Sequence, residues 1–349
     1  MREMRLGLKL IIFGLVLGIA LLLHGCSSGG GGGETATDKG GSSAEHQPTL
    51  GIVLKTMNNP YFIKMEEAAE ARAKELGIKL VVQAPEREID VERQVTIVEN
   101  FIQMDVDVIA IAPCGSREII PAIVKANKAG VPVIILDTRV NEEEAKSQSA
   151  EYVTFIGSDN YEGGKIAARY VIEKLGGKGK VAILEGIPGH ETADQRLRGF
   201  RDTIEKESQI EIVASQPANW ERAMGYDVAQ NILTAHPDVQ AIFGCNDMMA
   251  LGALEAVSQA GLEGKVLVVG FDAIEDALRE IKAGRMAASV AQHPEEMGRK
   301  AVEIAKQIID AKKAGKSISQ LNIPKEIITP IELVTIENVD RFLQEKTNK

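Results

Sequence analysis

The chain of 349 residues has few cysteines, few aromatic residues and no excess of basic residues. Beyond residue 26 only Cys114 and Cys245 remain, and they show neither metal-ligand spacing nor a CxxC motif. We expect them in different domains, and therefore as free thiols. The formal net charge is -10. Because no basic patch is interleaved with aromatic residues, a nucleic-acid partner is not expected.

Common catalytic motifs are also missing from the sequence. No GxGxxG follows the first predicted strand, and neither GxSxG nor HExxH occurs in residues 48–349. After residue 47 the histidines are His190, His236 and His293. All three are expected in loops or on the surface, although the loop of His190 points toward the predicted cleft and could add a ligand contact. Without a candidate nucleophile, metal site or acid/base pair, we expect no enzyme, no cofactor and no metal.

The first 26 residues have the pattern of an export signal. Basic residues precede an uncharged apolar run at 10–23, which ends at Leu23-His24-Gly25-Cys26. The run is short for a bilayer span. Its end resembles the lipobox of bacterial lipoproteins, which implies a lipid anchor at Cys26, and an uncleaved membrane anchor is the alternative. Residues 27–47, with five glycines at 29–33, are expected to form a disordered tether.

Residues 50–77 predict a strand, a polar turn and a helix. A short apolar run at 50–54 is followed by Asn58-Asn59-Pro60, and apolar residues then recur at steps of three and four. In parallel α/β sheets ligands collect at the carboxyl ends of strands. Residues 55–62 should therefore lie on the rim of a cleft, where an amide and two aromatic rings suit a polyhydroxylated ligand.

The remaining chain repeats this rhythm in two series of similar length. The predicted strands are continuous apolar runs, which is typical of parallel sheets covered by helices on both faces. We therefore predict an α/β protein with two Rossmann-like domains. The N-terminal lobe should comprise residues 48–157 and 293–324, and the C-terminal lobe residues 158–292 and 325–349. Three crossings near Gly157, Gln292-His293 and Pro324 should form the hinge.

Polar residues follow the apolar runs in both halves. Asn59, Asp137, Asn246 and Asp272 come one to several residues after a predicted strand. Each residue alone fits a turn or a helix cap, where Asn and Asp are favoured. Taken together, polar strand ends in both halves would face one another across a gap between the domains.

The chain resembles the ribose-binding protein family of bacterial periplasmic sugar-binding proteins, from about residue 48 to about residue 335. The resemblance is carried by NNPYF at 58–62, SDN at 158–160 with GGK at 163–165, QPA at 216–218, LTAHPDVQA at 233–241, NDMMALGA at 246–253, VVGFD at 268–272 and AQ at 291–292. It implies the type I periplasmic binding protein fold. It also implies a sugar ligand and an ABC importer, consisting of a permease and its ATPase, as partner.

Carried over residue by residue, the resemblance implies a ligand-binding set drawn from both halves. Aromatic faces would cover the sugar ring from two sides, and the polar residues would bind its hydroxyls. The set comprises Asn59, Tyr61, Phe62, Asp137, Arg196, Trp220, Asn246, Asp272 and Gln292. For Trp220 a position in the core is the alternative, although its polar neighbours favour a loop.

Two departures from the family pattern concern specificity. Ala112 stands where the ribose binders carry Asn, and Asp137-Thr138 stands where they carry Asp-Arg. Ribose itself is therefore doubtful, and a larger sugar, a polyol or a furanosyl signal molecule could use the space opened at Ala112.

We expect a monomeric lipoprotein in the periplasm or on the outer face of the membrane. A sensor that presents its ligand to a chemotaxis or kinase receptor is the alternative to an importer component. A transcriptional regulator of the same architecture is disfavoured, because an export signal stands where its helix-turn-helix would be.

Overall fold

The computed structural model of the protein describes residues 46–347. The predicted export signal, the predicted lipidation site Cys26 and most of the predicted tether therefore lie outside the described residues. Over the described range, no helix has the length and apolar character needed to cross a membrane.

Strands and helices alternate along almost the whole described range. The first series is β1 (Thr49–Val53), α1 (Pro60–Leu76), β2 (Lys79–Gln83), α2 (Val91–Gln103), β3 (Val108–Ile111), α3 (Ile120–Lys128), β4 (Val133–Leu136), α4 (Glu142–Ser147) and β5 (Phe155–Ser158). The second series is α5 (Asn160–Leu175), β6 (Lys178–Glu185), α6 (Glu191–Glu207), β7 (Gln209–Pro217), α7 (Arg222–Ala235), β8 (Ala241–Gly244), α8 (Asp247–Gln259), β9 (Leu267–Asp272), α9 (Glu275–Lys282) and β10 (Ala288–Ala291). The chain continues with α10 (Pro294–Lys313), a 3-10 turn (Ile318–Gln320), β11 (Glu326–Thr329), β12 (Glu332–Val334) and α11 (Val339–Thr347).

The strands form two sheets, each the centre of one lobe. Within the described residues the first sheet has the order β11-β5-β4-β3-β1-β2, and all of its neighbours pair in parallel. The second has the order β12-β10-β9-β8-β6-β7 and is parallel except between β10 and β12. Central strands such as β3 and β4 are buried along their whole length, because helices cover both faces. The predicted α/β architecture of two parallel-sheet lobes is confirmed.

The chain passes between the lobes three times. It leaves the first sheet after β5, and α5 packs on α6 in the second lobe. It returns between β10 and α10, which packs against α1. The last crossing lies at residues 330–331, because β11 pairs with β5 in the first sheet and β12 with β10 in the second. We call residues 46–158 and 294–329 the first lobe, and residues 160–291 and 332–347 the second lobe.

The position of the last crossing corrects the expectation from sequence. The predicted boundary near Pro324 assigned residues 325–335 to the C-terminal lobe, whereas β11 (Glu326–Thr329) belongs to the first sheet. Near this crossing, the Ser158 hydroxyl lies 3.2 Å from that of Thr329. The two strands that border the hinge are therefore joined by backbone and side-chain bonds in the first lobe.

Helix caps at the strand ends position the residues of the cleft. Asn59 has extended backbone, and its side-chain oxygen accepts a hydrogen bond from the Tyr61 amide, so that α1 begins directly at Pro60. In the second lobe the Asn246 side chain accepts from the Met249 amide at the start of α8. The sequence left open whether these residues cap helices or face the cleft, and the structure shows that they do both.

Cys114 and Cys245 are buried free thiols, one in each lobe. Their separation into different lobes agrees with the expectation from sequence.

Candidate ligand-binding site

A cavity of about 260 Å³ lies between the lobes at the carboxyl ends of the strands. All nine residues that the sequence singled out for ligand binding line it, and three further residues join them. The lining consists of Asn59, Tyr61, Phe62, Asp137, Arg196, Trp220, Asn246, Asp272 and Gln292, together with Lys55, Glu88 and Thr192.

The first lobe supplies an aromatic corner from the first turn of α1. The rings of Tyr61 and Phe62 meet edge to face with centroids 5.1 Å apart, and both residues are buried. The Tyr61 hydroxyl lies 3.4 Å from the Gln292 side-chain oxygen and 3.3 Å from the Met297 sulfur. Burial and the nearby carboxylates raise the pKa of the Tyr61 hydroxyl, which therefore stays protonated.

Arg196 of α6 is held rigidly in the second lobe. Its Nε donates to Asn160 Oδ1 at 2.8 Å, and its Nη1 donates to the Cys245 carbonyl at 2.8 Å and reaches Asp272 Oδ1 at 3.4 Å. The guanidinium also stacks 3.7 Å from the centroid of the Phe271 ring. A side chain fixed by this many contacts loses little further entropy when it binds a ligand.

Three lining residues have backbone angles that L-residues rarely adopt. The φ angles are 60° at Asp137, 69° at Trp220 and 111° at Asp272. Such conformations cost about 1–3 kcal/mol each and persist where the surrounding structure imposes them, often at functional sites. They turn the strand-end and loop side chains into the cavity.

The ring of Trp220 closes the cavity from the second lobe. Trp220 lies in the turn between β7 and α7, as the polar neighbours in sequence favoured, yet it is buried. Gly186 makes room for the ring, since a Cβ there would lie 2.1 Å from the indole. Among the described residues, the indole Nε1 is one of three buried side-chain nitrogens without a hydrogen-bond partner.

Lys55 also lines the cavity; the sequence placed it on the rim of the cleft but not among the ligand-binding residues. It follows β1 and is 2% exposed. Its ammonium lies 2.7 Å from Asp137 Oδ2 and donates to Thr138 Oγ1 at 2.7 Å. Burial alone would raise the pKa of Asp137, but the Lys55 charge and hydrogen bond outweigh it and lower this pKa to about 2. The usable signal in the sequence was a lysine directly at the end of a buried strand.

Glu88 and Thr192 also line the cavity and were not predicted from the sequence. Glu88 lies in the loop between β2 and α2 and is partly buried; desolvation raises its pKa to about 7 against the opposing effect of Lys55. Burial likewise raises the pKa of Asp272 to about 6, against the lowering effect of Arg196. The cavity thus combines two cations, one carboxylate that is ionised at neutral pH and two carboxyls that titrate near neutrality. The positive and negative charges of the cavity are thus nearly balanced, which suits a neutral ligand that both donates and accepts hydrogen bonds.

Direct contacts join the lobes around the cavity. On one side Arg87 of the first lobe bonds Glu221 of the second, with Nη2 and Oε1 2.6 Å apart. On the other side the hydroxyls of Thr138 and Thr192 lie 2.7 Å apart. The structure therefore represents a closed form of the cleft, in which the lining side chains are largely shielded from water.

A comparison with models of protein families shows to which family the chain belongs. The model of the periplasmic binding protein domain matches residues 50–313, which is more than half of the chain. The protein belongs to the periplasmic binding protein family.

Relatives of this periplasmic binding protein are named for sugars. The chain is 40% identical to the ribose import binding protein of Bacillus subtilis (strain 168) over 271 residues, 78% of this chain and 85% of the relative. It is 36% identical to the D-allose-binding periplasmic protein of Escherichia coli (strain K12) over 285 residues, 81% of this chain and 91% of the relative. The resemblance stated from sequence is thereby confirmed.

A solved structure supports the same assignment. An ABC transporter periplasmic solute binding protein from Actinobacillus succinogenes 130z, with bound D-allose, superposes with a TM-score of 0.77 at 40% identity and covers 84% of this chain and 99% of its own. The relatives are binding proteins, which confirms the expectation that this periplasmic binding protein is not an enzyme. In the described part of the chain, no group of His, Cys, Asp and Glu is arranged to hold a metal ion.

The two departures from the ribose pattern have different structural outcomes in this periplasmic binding protein. Ala112 is 0% exposed and does not line the cavity, and its carbonyl accepts a 2.8 Å bond from Gln94. It therefore adds no space to the cavity, contrary to the expectation from sequence. Thr138 bonds Lys55, Asp137 and Thr192 and so belongs to the network behind the cavity wall.

Proposed function

We propose that the protein captures a neutral monosaccharide in the cleft, an aldohexose of the D-allose type in preference to D-ribose, and delivers it to an ABC importer. The observation that carries the proposal is the cavity between the lobes, which is lined by aromatic residues and by hydroxyl-binding residues from both lobes. Aromatic faces pack on the C–H side of a sugar ring, and bonds from charged groups offset the loss of the sugar's hydration.

The preference for a hexose rests on residues beyond the set implied by the family. Lys55 and Glu88 both line the cavity and provide an additional donor and an additional acceptor. A buried polar group without a partner is costly, so a site with more such groups discriminates against a ligand with fewer hydroxyls. The relatives named or solved with D-allose support this choice.

The mechanism that we propose is closure of the two lobes around the sugar. Arg196 and Trp220 are buried in the closed form, so the lobes must separate for a sugar to enter. A sugar that bonds residues of both lobes has a higher affinity for the closed form and shifts the population toward it. The three crossings at 159, 292–293 and 330–331 would act as the hinge.

The cellular setting is part of the proposal. Family membership is consistent with a position outside the cytoplasm, and we propose that a lipid at Cys26 anchors a monomer to the membrane. The partner would be a permease with its ATPase. A relative named an import binding protein favours this role over the alternative of a sensor that reports to a receptor.

Titration of the purified protein with D-allose, D-ribose, myo-inositol and a mixture of amino acids tests the proposal. Trp220 is the sole tryptophan and lines the cavity, so its fluorescence reports occupancy, and the melting temperature reports binding by mass action. We expect D-allose to bind most tightly and D-ribose more weakly. Stabilisation by an amino acid without any response to the neutral sugars would overturn the proposal.

A further inference from the structure

Three consecutive residues of the second lobe dock onto the first lobe beside the cavity. We call residues 190–192 the docking segment; it comprises the last residue before α6 and the first two residues of that helix. Its bonds run from His190 Nε2 to the Pro113 carbonyl at 3.1 Å, from the Glu191 amide to Ser116 Oγ at 3.0 Å, and between the hydroxyls of Thr192 and Thr138 at 2.7 Å.

The docking segment is rigidly connected to the ligand-binding residues of α6. Thr192 itself lines the cavity, and Arg196 follows one turn later on the same helix. Bonds that hold the segment against the first lobe therefore also set the position of both side chains. His190 does not line the cavity, so any influence on the sugar must act through this helix and through closure.

The bond to Pro113 determines which nitrogen of the neutral His190 ring carries the proton. A carbonyl oxygen only accepts hydrogen bonds, so Nε2 carries the proton, and Nδ1 of the neutral ring carries a lone pair. His190 is 2% exposed, and Nδ1 has no hydrogen-bond partner among the described residues. Protonation would create a buried N–H donor and a buried charge without an acceptor, which is costly.

The charges around His190 also oppose a second proton. Burial has the largest effect, and the cations Lys55 and Arg196 add to it, while the Pro113 carbonyl and the Asp137 carboxylate act in the opposite direction. The result is that the pKa of His190 is lowered to about 3 in the closed form. Once the lobes separate and water reaches the ring, an ordinary histidine pKa of about 6.5 is expected.

We propose that His190 is a positioning residue for sugar binding, and that the lobes close only when its ring is neutral. The proposal rests on the proposed function, because it concerns the same cleft. In the open form the ring takes up a proton as the pH falls below about 6.5, and closure must then expel that proton. The affinity for sugar therefore declines at mildly acidic pH, and cargo is released more readily there.

The test compares the wild-type protein with His190→Gln. A glutamine amide can donate to the Pro113 carbonyl from nearly the same position but does not titrate. D-allose affinity is measured at pH 7.5 and pH 5.5 by Trp220 fluorescence. Protonation of an exposed histidine with a pKa of about 6.5 predicts that the wild type loses about tenfold more affinity between these two pH values than the variant. Glu88 and Asp272 titrate in both proteins. For each protein the affinity at pH 7.5 is divided by the affinity at pH 5.5, and the difference between the two ratios gives the contribution of His190.

Ser116→Ala serves as the matched control. It removes the neighbouring bond to the Glu191 amide without changing a titratable group, and it should weaken binding by the same factor at both pH values. If the ratio of the D-allose affinity at pH 7.5 to that at pH 5.5 is the same in the wild type and in His190→Gln, the proposal is overturned while the proposed function remains intact. A protein that binds none of the sugars at pH 7.5 would overturn both.

A second measurement needs no variant. In the wild type, the histidine NMR signals identify the titration of His190 with and without saturating D-allose. We expect a pKa near 6.5 in the sugar-free protein and no titration above pH 5 in the complex. The same pKa in both states would contradict a role of the neutral ring in closure.

Discussion

At the scale of single residues, the site depends on buried charges that compensate one another. Lys55 and Asp137 form an ion pair with both side chains almost fully buried. Removing one partner of such a pair leaves an uncompensated charge and costs about 3–5 kcal/mol. The pair is a requirement for the shape of the cavity as well as a source of hydrogen bonds.

Replacing Lys55 with Met should therefore lower the melting temperature and abolish measurable sugar binding. The physical reason is the unpaired Asp137 carboxylate, which would take up a proton or draw water into the cleft. Thermal melting and a D-allose titration measure the two effects. The control Lys79→Met changes an exposed lysine on β2 and should alter neither. Unchanged sugar affinity in Lys55→Met would show that the pair does not support the site.

Replacing Glu88 with Gln should change the pH dependence of stability. The folded-state pKa of Glu88 is raised to about 7. Its contribution to the free energy of unfolding is therefore fully present below the unfolded pKa of about 4.3 and is lost as the pH rises through about 7, by up to about 4 kcal/mol. Glutamine resembles the protonated form and should keep that stability. Urea unfolding at pH 5 and pH 8 measures the difference. Equal declines in the wild type and the variant would mean that Glu88 titrates normally.

At the scale of elements, the close approach of α5 and α6 positions Arg196. Gly164 of α5 faces the backbone of α6, and a Cβ there would lie 2.2 Å from the Arg196 carbonyl oxygen. The glycine in the GGK segment is therefore required by packing between two helices. Any larger residue must push α6, together with Arg196 and the docking segment, away from its place.

Replacing Gly164 with Ala should destabilise the protein by about 1–3 kcal/mol, as expected for overpacking, and weaken D-allose binding. Thermal melting and calorimetric titration measure the two effects. The control Glu173→Ala lies on an exposed face of the same helix and should change neither substantially. A variant with normal melting temperature and affinity would show that α6 tolerates the displacement.

At the scale of the whole molecule, closure is supported by bonds that exist only when the lobes meet. The Arg87–Glu221 pair joins the loop after β2 to the residue before α7, and its side chains are partly exposed to solvent. Exposed ion pairs contribute little to the free energy of unfolding, and salt screens the attraction between their charges. Its contribution should therefore appear in the lifetime of the closed state more than in stability.

Replacing Arg87 with Ala should increase the sugar dissociation rate roughly twofold to fivefold at low salt, and less at high salt. Stopped-flow fluorescence of Trp220 measures this rate. The control Arg93→Ala removes an exposed arginine of α2 and should leave the rate unchanged. The same dissociation rate in Arg87→Ala and the wild type at low salt would exclude a role of the ion pair in closure.

The local pattern of the chain determined the fold class and most of the candidate cavity. Continuous apolar runs indicate strands buried on both faces, and Asn59 and Asn246 begin helices directly after such strands. Parallel strands bring their carboxyl ends to one edge. For this reason the polar strand ends, together with the motifs of the family, were sufficient to predict nine of the twelve residues that line the cavity.

Only the tertiary structure decided which sheet takes β11, and which additional side chains meet in the cleft. A four-residue edge strand carries no signal for its partner, because its pairing depends on which sheet edge is free. Lys55, Glu88 and His190 belong to segments far apart in sequence. Folding of the first lobe brings Lys55 to Asp137 and Thr138, whereas His190 reaches the Pro113 carbonyl only when the lobes close. Burial and neighbouring charge, which set their chemistry, are properties of packing and cannot be read from residue type alone.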